Sequence, residues 1–181
     1  VEVAHDPPGH SIELWKYDGV TASLLSNINP AAASSSPLNL TVVGANVFFS
    51  ADNGTNGREL YGTNGTSTSL VRDINSGANS SSPSSLVNIG GTLYFQATDA
   101  SNGAELWKSG GSFATTVRVT NLNPDNGSSN PVNLIAFNNN LFFTADDGTS
   151  GTELWKSDGS SAGTARLIDL NPGTASALPN S

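Results

Sequence analysis

Glu153-Leu154-Trp155-Lys156-Ser157-Asp158-Gly159 is the stretch that decides the fold, because the chain carries the same heptad three times more. It recurs as Glu105-Leu106-Trp107-Lys108-Ser109-Gly110-Gly111, as Glu59-Leu60-Tyr61-Gly62-Thr63-Asn64-Gly65, and as Glu13-Leu14-Trp15-Lys16-Tyr17-Asp18-Gly19. The glutamates lie 46, 46 and 48 residues apart. A fixed period of this length is the signature of a repeat architecture.

Around each heptad the same neighbours return. Upstream stand Val47-Phe48-Phe49-Ser50-Ala51, Leu93-Tyr94-Phe95-Gln96-Ala97 and Leu141-Phe142-Phe143-Thr144-Ala145, with Val1-Glu2-Val3-Ala4 as a worn first copy. Adjacent aromatics in a strand point to opposite faces, so both faces of such a strand need cover. A Gly/Asn/Asp loop joins this strand to the heptad strand, and Asn-Gly or Asp-Gly pairs supply the positive φ of tight turns. A further strand follows each heptad, at 24–28, 70–74, 117–122 and 166–170. Then comes the longest connection, rich in Ser, Ala, Gly and Pro, and a strand opening at Leu38, Leu86 or Val132.

Each repeat thus reads as a four-stranded antiparallel meander. One such meander cannot bury two apolar faces alone, and stacking between neighbours does so. The expected fold is an all-β, β-propeller-type repeat protein of four roughly 46-residue units, the first lacking one strand. The units fall at about 1–36, 37–82, 83–130 and 131–181 of a single repeat domain. An immunoglobulin-like array is the alternative, but it does not demand such close copying. The expected core is Phe48, Phe49, Tyr94, Phe95, Phe142, Phe143 and the four heptad leucines.

The composition agrees with strands and turns. Charged residues make up 12% of the 181, and the formal net charge is -8 with seven basic residues. That balance argues against nucleic acid, which needs a basic footprint, and against an anionic membrane surface. No apolar run is long enough to cross a bilayer as a helix. There is no Cys, hence no disulfide, thiolate metal site or Cys nucleophile. The sequence starts at Val1 and has no Met, which reads as a processed or excised chain. The polar, acidic, cysteine-free composition suits a secreted or surface protein.

The heptads, with Asp146-Asp147-Gly148 before the last and Ser161-Ala162-Gly163-Thr164 after it, resemble the ELWxxDGT repeat family of bacterial, mostly extracellular proteins. The Asn-Pro and Ser-Pro connections resemble it too, and the likeness runs over essentially the whole chain. It implies a repeat-built, surface-exposed module and no defined activity. The second copy departs from it with Tyr61-Gly62 and Asn64, and the third with Gly110.

The candidate ligand-binding residues are Trp15, Tyr61, Trp107 and Trp155, since a ring repeated once per unit is suited to stack on sugars. Packing between neighbouring units is the weightier expectation for them. They share a strand face with Glu13, Glu59, Glu105 and Glu153, for which a structural role accepting backbone N–H bonds from a nearby loop is expected. Asp146 and Asp147 are the candidate metal ligands, with Ca²⁺ as the cation that an oxygen-rich loop would take. Turn chemistry accounts for both, and no essential ion or cofactor is expected. Ser50-Ala51-Asp52-Asn53-Gly54-Thr55 resembles the start of the Asp-box turn of sialidase-type propellers, a fold-stabilising element. His5, Asp6 and His10 have zinc-binding chemistry but sit beside Pro7-Pro8-Gly9, where an exposed loop is the better reading.

Almost all carboxylates repeat with the period, whereas catalysis needs a few unique convergent groups. The expectation is therefore a non-enzymatic extracellular or cell-surface binding or adhesion module, with glycans as candidate ligands. A self-assembling subunit of a fibre or surface layer is the alternative, and a fragment of a larger propeller enzyme the third. The expected partners are other copies of the chain, or further repeats of a parent protein.

Overall fold

The computed structural model of the chain describes residues 2–5, 12–30, 33–169, 172, 173 and 176. These form four separate antiparallel sheets, and the only helix among them is a single 3-10 turn at Phe113–Thr115. The first sheet has three strands, β1 (Glu2–His5), β2 (Ile12–Tyr17) and β3 (Ala22–Ser26), in that order. The second runs β4 (Leu38–Val43), β5 (Asn46–Asp52), β6 (Arg58–Thr63) and β7 (Thr68–Arg72). The third runs β8 (Ser84–Ile89), β9 (Thr92–Asp99), β10 (Gly103–Ser109) and β11 (Val117–Arg118). The fourth runs β12 (Val132–Phe137), β13 (Asn140–Asp146), β14 (Thr152–Ser157) and β15 (Ala165–Ile168). Every neighbour in space is a neighbour in sequence, as a meander requires. The heptads are β2, β6, β10 and β14.

Two compact units divide the chain, Val1–Pro83 with the first and second sheets and Ser84–Ser181 with the third and fourth. Each sheet has two unlike faces, fixed by the period-2 alternation of its strands. One carries the heptad leucine and the lysine two places on (Gly62 in the second sheet), and we call it the Leu face. The other carries the glutamate and the ring, and we call it the Trp face. In the first unit Leu14 and Ile28 pack with Phe49, Ala51 and Tyr61. In the second unit Tyr94, Leu106 and Val119 pack with Leu141, Phe143, Ala145 and Trp155. Both cores follow one rule: the Leu face of one sheet takes the Trp face of the next. A lysine fastens the edge each time. Lys16 Nζ donates to Gly65 O at 3.2 Å, and Lys108 Nζ donates to Gly159 O at 2.7 Å.

Local chemistry explains the turns between strands. Asp18 Oδ1 accepts the N–H groups of Val20 and Thr21, at 2.9 and 2.8 Å. Asn64 Oδ1 does the same for Thr66 and Ser67, at 3.0 and 2.9 Å. The short turn between β12 and β13 places Asn138 and Asn139 at φ 47° and 56°, the left-handed pair of a type I′ hairpin. Gly159, at φ +89°, lies under the Tyr94 hydroxyl with no room for a Cβ. Position and neighbour both require glycine there.

Three expectations need correction. Leu14, Leu60 and Leu106 are fully buried, but Leu154 is 36% exposed. Phe142 is only partly buried. Both lie on the Leu face of the fourth sheet, which no Trp face covers among the described residues. The strand expected at 117–122 is also shorter than drawn. It is only Val117–Arg118, preceded by the 3-10 turn, although Val119 N still donates to Leu106 O at 2.8 Å.

Candidate functional site

The heptad glutamates are the most deeply set acids, and Glu13, Glu59, Glu105 and Glu153 are all buried. A buried carboxylate survives only if its oxygens receive hydrogen bonds. For three of the four, the donors come from the long connection that follows the sheet. Glu105 accepts the N–H of Leu122 (3.1 Å), Asn123 (3.4 Å) and Ser129 (3.1 Å), and the Ser129 hydroxyl at 2.6 Å. Glu59 repeats this with Ile74, Asn75 and both groups of Ser81, the hydroxyl at 2.5 Å. Glu13 repeats it with Ile28 and both groups of Ser35, the hydroxyl at 2.6 Å. The loop-binding role read from sequence is therefore present, with a buried serine added to it.

Two of these serines, Ser35 and Ser129, also tie their connection to the following sheet of the same unit. Asp52 N donates to Ser35 O at 3.0 Å, and Asp146 N donates to Ser129 O at 2.9 Å. The residue after each serine, Ser36, Ser82 or Asn130, takes a left-handed φ of 44°, 49° or 46° just before a proline. That conformation is uncommon before proline. Here it turns each N–H back onto the parent sheet, to Ile12 O, Arg58 O and Ala104 O at 3.0, 3.1 and 3.1 Å.

Burial pushes the Glu59 and Glu105 carboxyls up from their ordinary value, with the serine hydroxyls and backbone N–H groups pulling the other way. All their partners are donors, so these acids are occupied as acceptors by their own repeat.

The four rings are spread over four sheets and form no shared surface within either unit. Tyr61, Trp107 and Trp155 are buried, and Trp15 is partly exposed. Tyr61 stacks on Phe49 with centroids 6.0 Å apart. Trp155 Nε1 donates to Ala145 O at 3.0 Å.

Asp146 and Asp147 sit in the loop between β13 and β14. Asp146 Oδ1 accepts Gly148 N–H at 2.7 Å. Asp147 Oδ1 accepts the N–H groups of Thr149 and Ser150 at 2.9 and 2.8 Å. Its second oxygen faces Arg166 at 3.7 Å, and Arg166 also pairs with Asp169 at 3.5 Å. Partial burial raises the Asp147 carboxyl, but its Thr149 and Ser150 bonds and Arg166 together hold it below the ordinary value. Asn53 and Asp99 build the same turn in the second and third repeats. No group of three or more His, Cys, Asp or Glu residues converges among the described residues. The side chains of His5, Asp6 and His10 lie outside the described residues.

The first unit also holds an open cleft of about 290 Å³, lined by Ser26, Asn27, Ile28, Asn53, Tyr61, Thr68, Ser69 and Leu70. Asn27 and Ser69 are exposed at its rim. Burial, followed by the charges of Asp52 and Glu59, pushes the Tyr61 phenol up to about 12. Among the described residues its hydroxyl has no hydrogen-bond partner of standard geometry, although the Asn53 side chain is near enough to pull the phenol the other way. The nearby Asn53 carboxamide is committed to Asn56, at 2.9 Å. Sequence reasoning singled out Tyr61 but not the asparagines and hydroxyls beside it, because turn-rich strand ends carry such residues everywhere.

No helix among the described residues is long and apolar enough to cross a membrane. The sequence matches no family model, and no curated protein shows significant similarity to it.

Proposed function

We propose that this chain is a non-enzymatic, extracellular or surface-displayed binding module, built as a propeller-type array of ELWxxDGT repeats. The observation that carries this reading is the use made of its acids. Glu13, Glu59 and Glu105 and the loop aspartates serve as acceptors for their own connections and turns, at the same place in successive repeats. Such groups build a scaffold, whereas acid–base chemistry calls for a few unique groups that converge on one cleft. The twice-used pairing of Leu face with Trp face supports stacked units, and radial stacking is the arrangement that suits four-stranded meanders.

For the ligand, the cleft beside Tyr61 offers an apolar ring edge, carboxamides and hydroxyls, with no charged side chain in its lining. A neutral saccharide has matching chemistry. Calorimetric titration with a panel of neutral oligosaccharides tests this. Saturable binding that Asn27→Ala weakens is expected, and a panel without binding overturns the ligand assignment. Melting curves in EDTA and in Ca²⁺ are expected to coincide; a large Ca²⁺-dependent rise would return Asp146 and Asp147 to a metal role.

A second reading, a self-assembling structural subunit, is favoured by the open Leu face of the fourth sheet.

A further inference from the structure

Among the described residues the fourth sheet is covered on one side only. Its Trp face, with Leu141, Phe143, Ala145 and Trp155, is in the core of the second unit. Its Leu face is largely apolar, with Lys156 and Thr144 set among the apolar side chains. Ile135 and Phe142 are paired across β12 and β13, and Phe137 lies edge-on to Phe142 with ring centroids 6.1 Å apart. Ile135 and Phe137 are each 61% exposed, and Leu154, 36% exposed, stands across from Thr144 on the same face. Leu167 is 47% exposed, while its equivalents Val71 and Val119 are 8% and 7%. Such a patch on a soluble surface marks an interaction site.

The chain itself shows what covers a surface of this kind. Twice, once in each unit, a Leu face is covered by a Trp face, and a lysine from the Leu face reaches the turn glycine carbonyl of the covering sheet. On the fourth sheet that lysine is Lys156, which makes no hydrogen bond or ion pair among the described residues. The first sheet has the complementary parts. Trp15 on its Trp face is partly exposed, where Tyr61, Trp107 and Trp155 are buried. Its turn glycine is Gly19, whose carbonyl accepts, among the described residues, only the exposed Tyr17 hydroxyl, at 2.9 Å, which leaves a second lone pair.

We infer that the Leu face of the fourth sheet is the docking surface for a second copy of this chain, which covers it with the Trp face of its own first sheet. Leu154, Phe142 and Leu167 of one copy pack on the Trp15 side of the other, and Lys156 Nζ donates to Gly19 O across the interface. The two faces are different, so the contact is head-to-tail. It yields a ring where the rotation closes and a filament where it does not. This rests on the repeat-module reading, but not on its saccharide ligand, which is measured separately.

The test uses the intact chain. Leu154→Arg spoils the Leu face, and Trp15→Arg spoils the opposing Trp face. Sedimentation velocity over a concentration series is expected to show the wild type associating beyond a dimer and each variant alone as a monomer. An equimolar mixture of the variants is expected to form a one-to-one dimer and nothing larger, because one sound face of each kind remains. A wild type that stays monomeric throughout overturns the proposal. So does a Trp15→Arg variant that still dimerises, which would mean that Leu faces pair with each other.

Cross-linking keeps the proposal open to failure should either arginine variant misfold. The chain has no Cys, and Val20 beside the Gly19 turn is 88% exposed. A Val20→Cys, Lys156→Cys double variant treated with a short bismaleimide is expected to give covalent dimers and higher multimers. A link formed only within single chains, or none at all, refutes docking by a second copy.

Discussion

The third and fourth sheets are close copies with opposite fates on one face. Leu106 and Leu154 hold the same heptad position, and Lys108 and Lys156 the next but one. Yet Leu106 is fully buried and Leu154 is 36% exposed. Lys108 holds the Gly159 carbonyl, while Lys156 holds nothing among the described residues. The heptad therefore specifies a surface prepared for a neighbour. Whether that surface becomes core depends on what is laid against it.

The sharpest way to break this comparison is to cut the leucines. Leu106→Ala is expected to cost about 2–5 kcal/mol, as for other fully buried leucines. Leu154→Ala in the dilute monomer is expected to cost less than about 1 kcal/mol, because little packing is lost. Urea denaturation of both variants checks this. Equal losses would mean that the fourth sheet is covered in solution.

The next largest effect concerns the buried acid. All four partners of Glu105 are donors, so Glu105→Gln turns an amide N–H₂ toward at least one of them. A loss of about 1–3 kcal/mol is expected. The pH dependence has a definite sign. Burial holds the Glu59 and Glu105 carboxyls above the ordinary 4.5, so the folded chain keeps these protons to higher pH than the unfolded chain. The linked stabilisation is complete below about 4.5 and is lost as pH rises through the folded values. Melting temperatures recorded upward from pH 4 should show this fall, and the double variant Glu59→Gln, Glu105→Gln should flatten it.

The smallest expected effect sharpens the comparison at the rim. Lys108→Met removes a charge-assisted bond and should lower stability by about 1 kcal/mol. Lys156→Met should leave the monomer's urea midpoint unchanged. A matching loss in both would assign Lys156 a partner within its own chain.

Much of this was legible in the sequence. The period and the strand order follow from the heptads and the paired aromatics. The place of β1 beside β2 follows from Val1-Glu2-Val3 standing where Val47-Phe48-Phe49 stands later. The role of the glutamates was legible through their place beside the rings.

Other features were not. Each sheet with a first strand begins on a bulge, with Asn39, Ser85 and Asn133 at φ 59°, 54° and 56°. Asparagine tolerates that conformation, but asparagine is so common here that it stands out nowhere. The buried serines were hidden in the same way, since Ser35, Ser81 and Ser129 sit in serine-rich connections. Their one signal is a constant place two residues before a proline. The open Leu face could not be read at all. Leu154 and Leu106 have near-identical local sequence, and exposure depends on the neighbour.

The serines that Glu13 and Glu105 grip, Ser35 and Ser129, also reach forward to the backbone of the following sheet, so the joint within each unit is made of the same two handshakes. A stretch of chain one period long, inserted or deleted at such a joint, would find its contacts already provided on both sides. Repeat number can then change in whole steps through duplication or loss of about 46 codons, with no compensating substitution elsewhere. On this view the size of the assembly is a heritable variable that the contacts themselves leave unset.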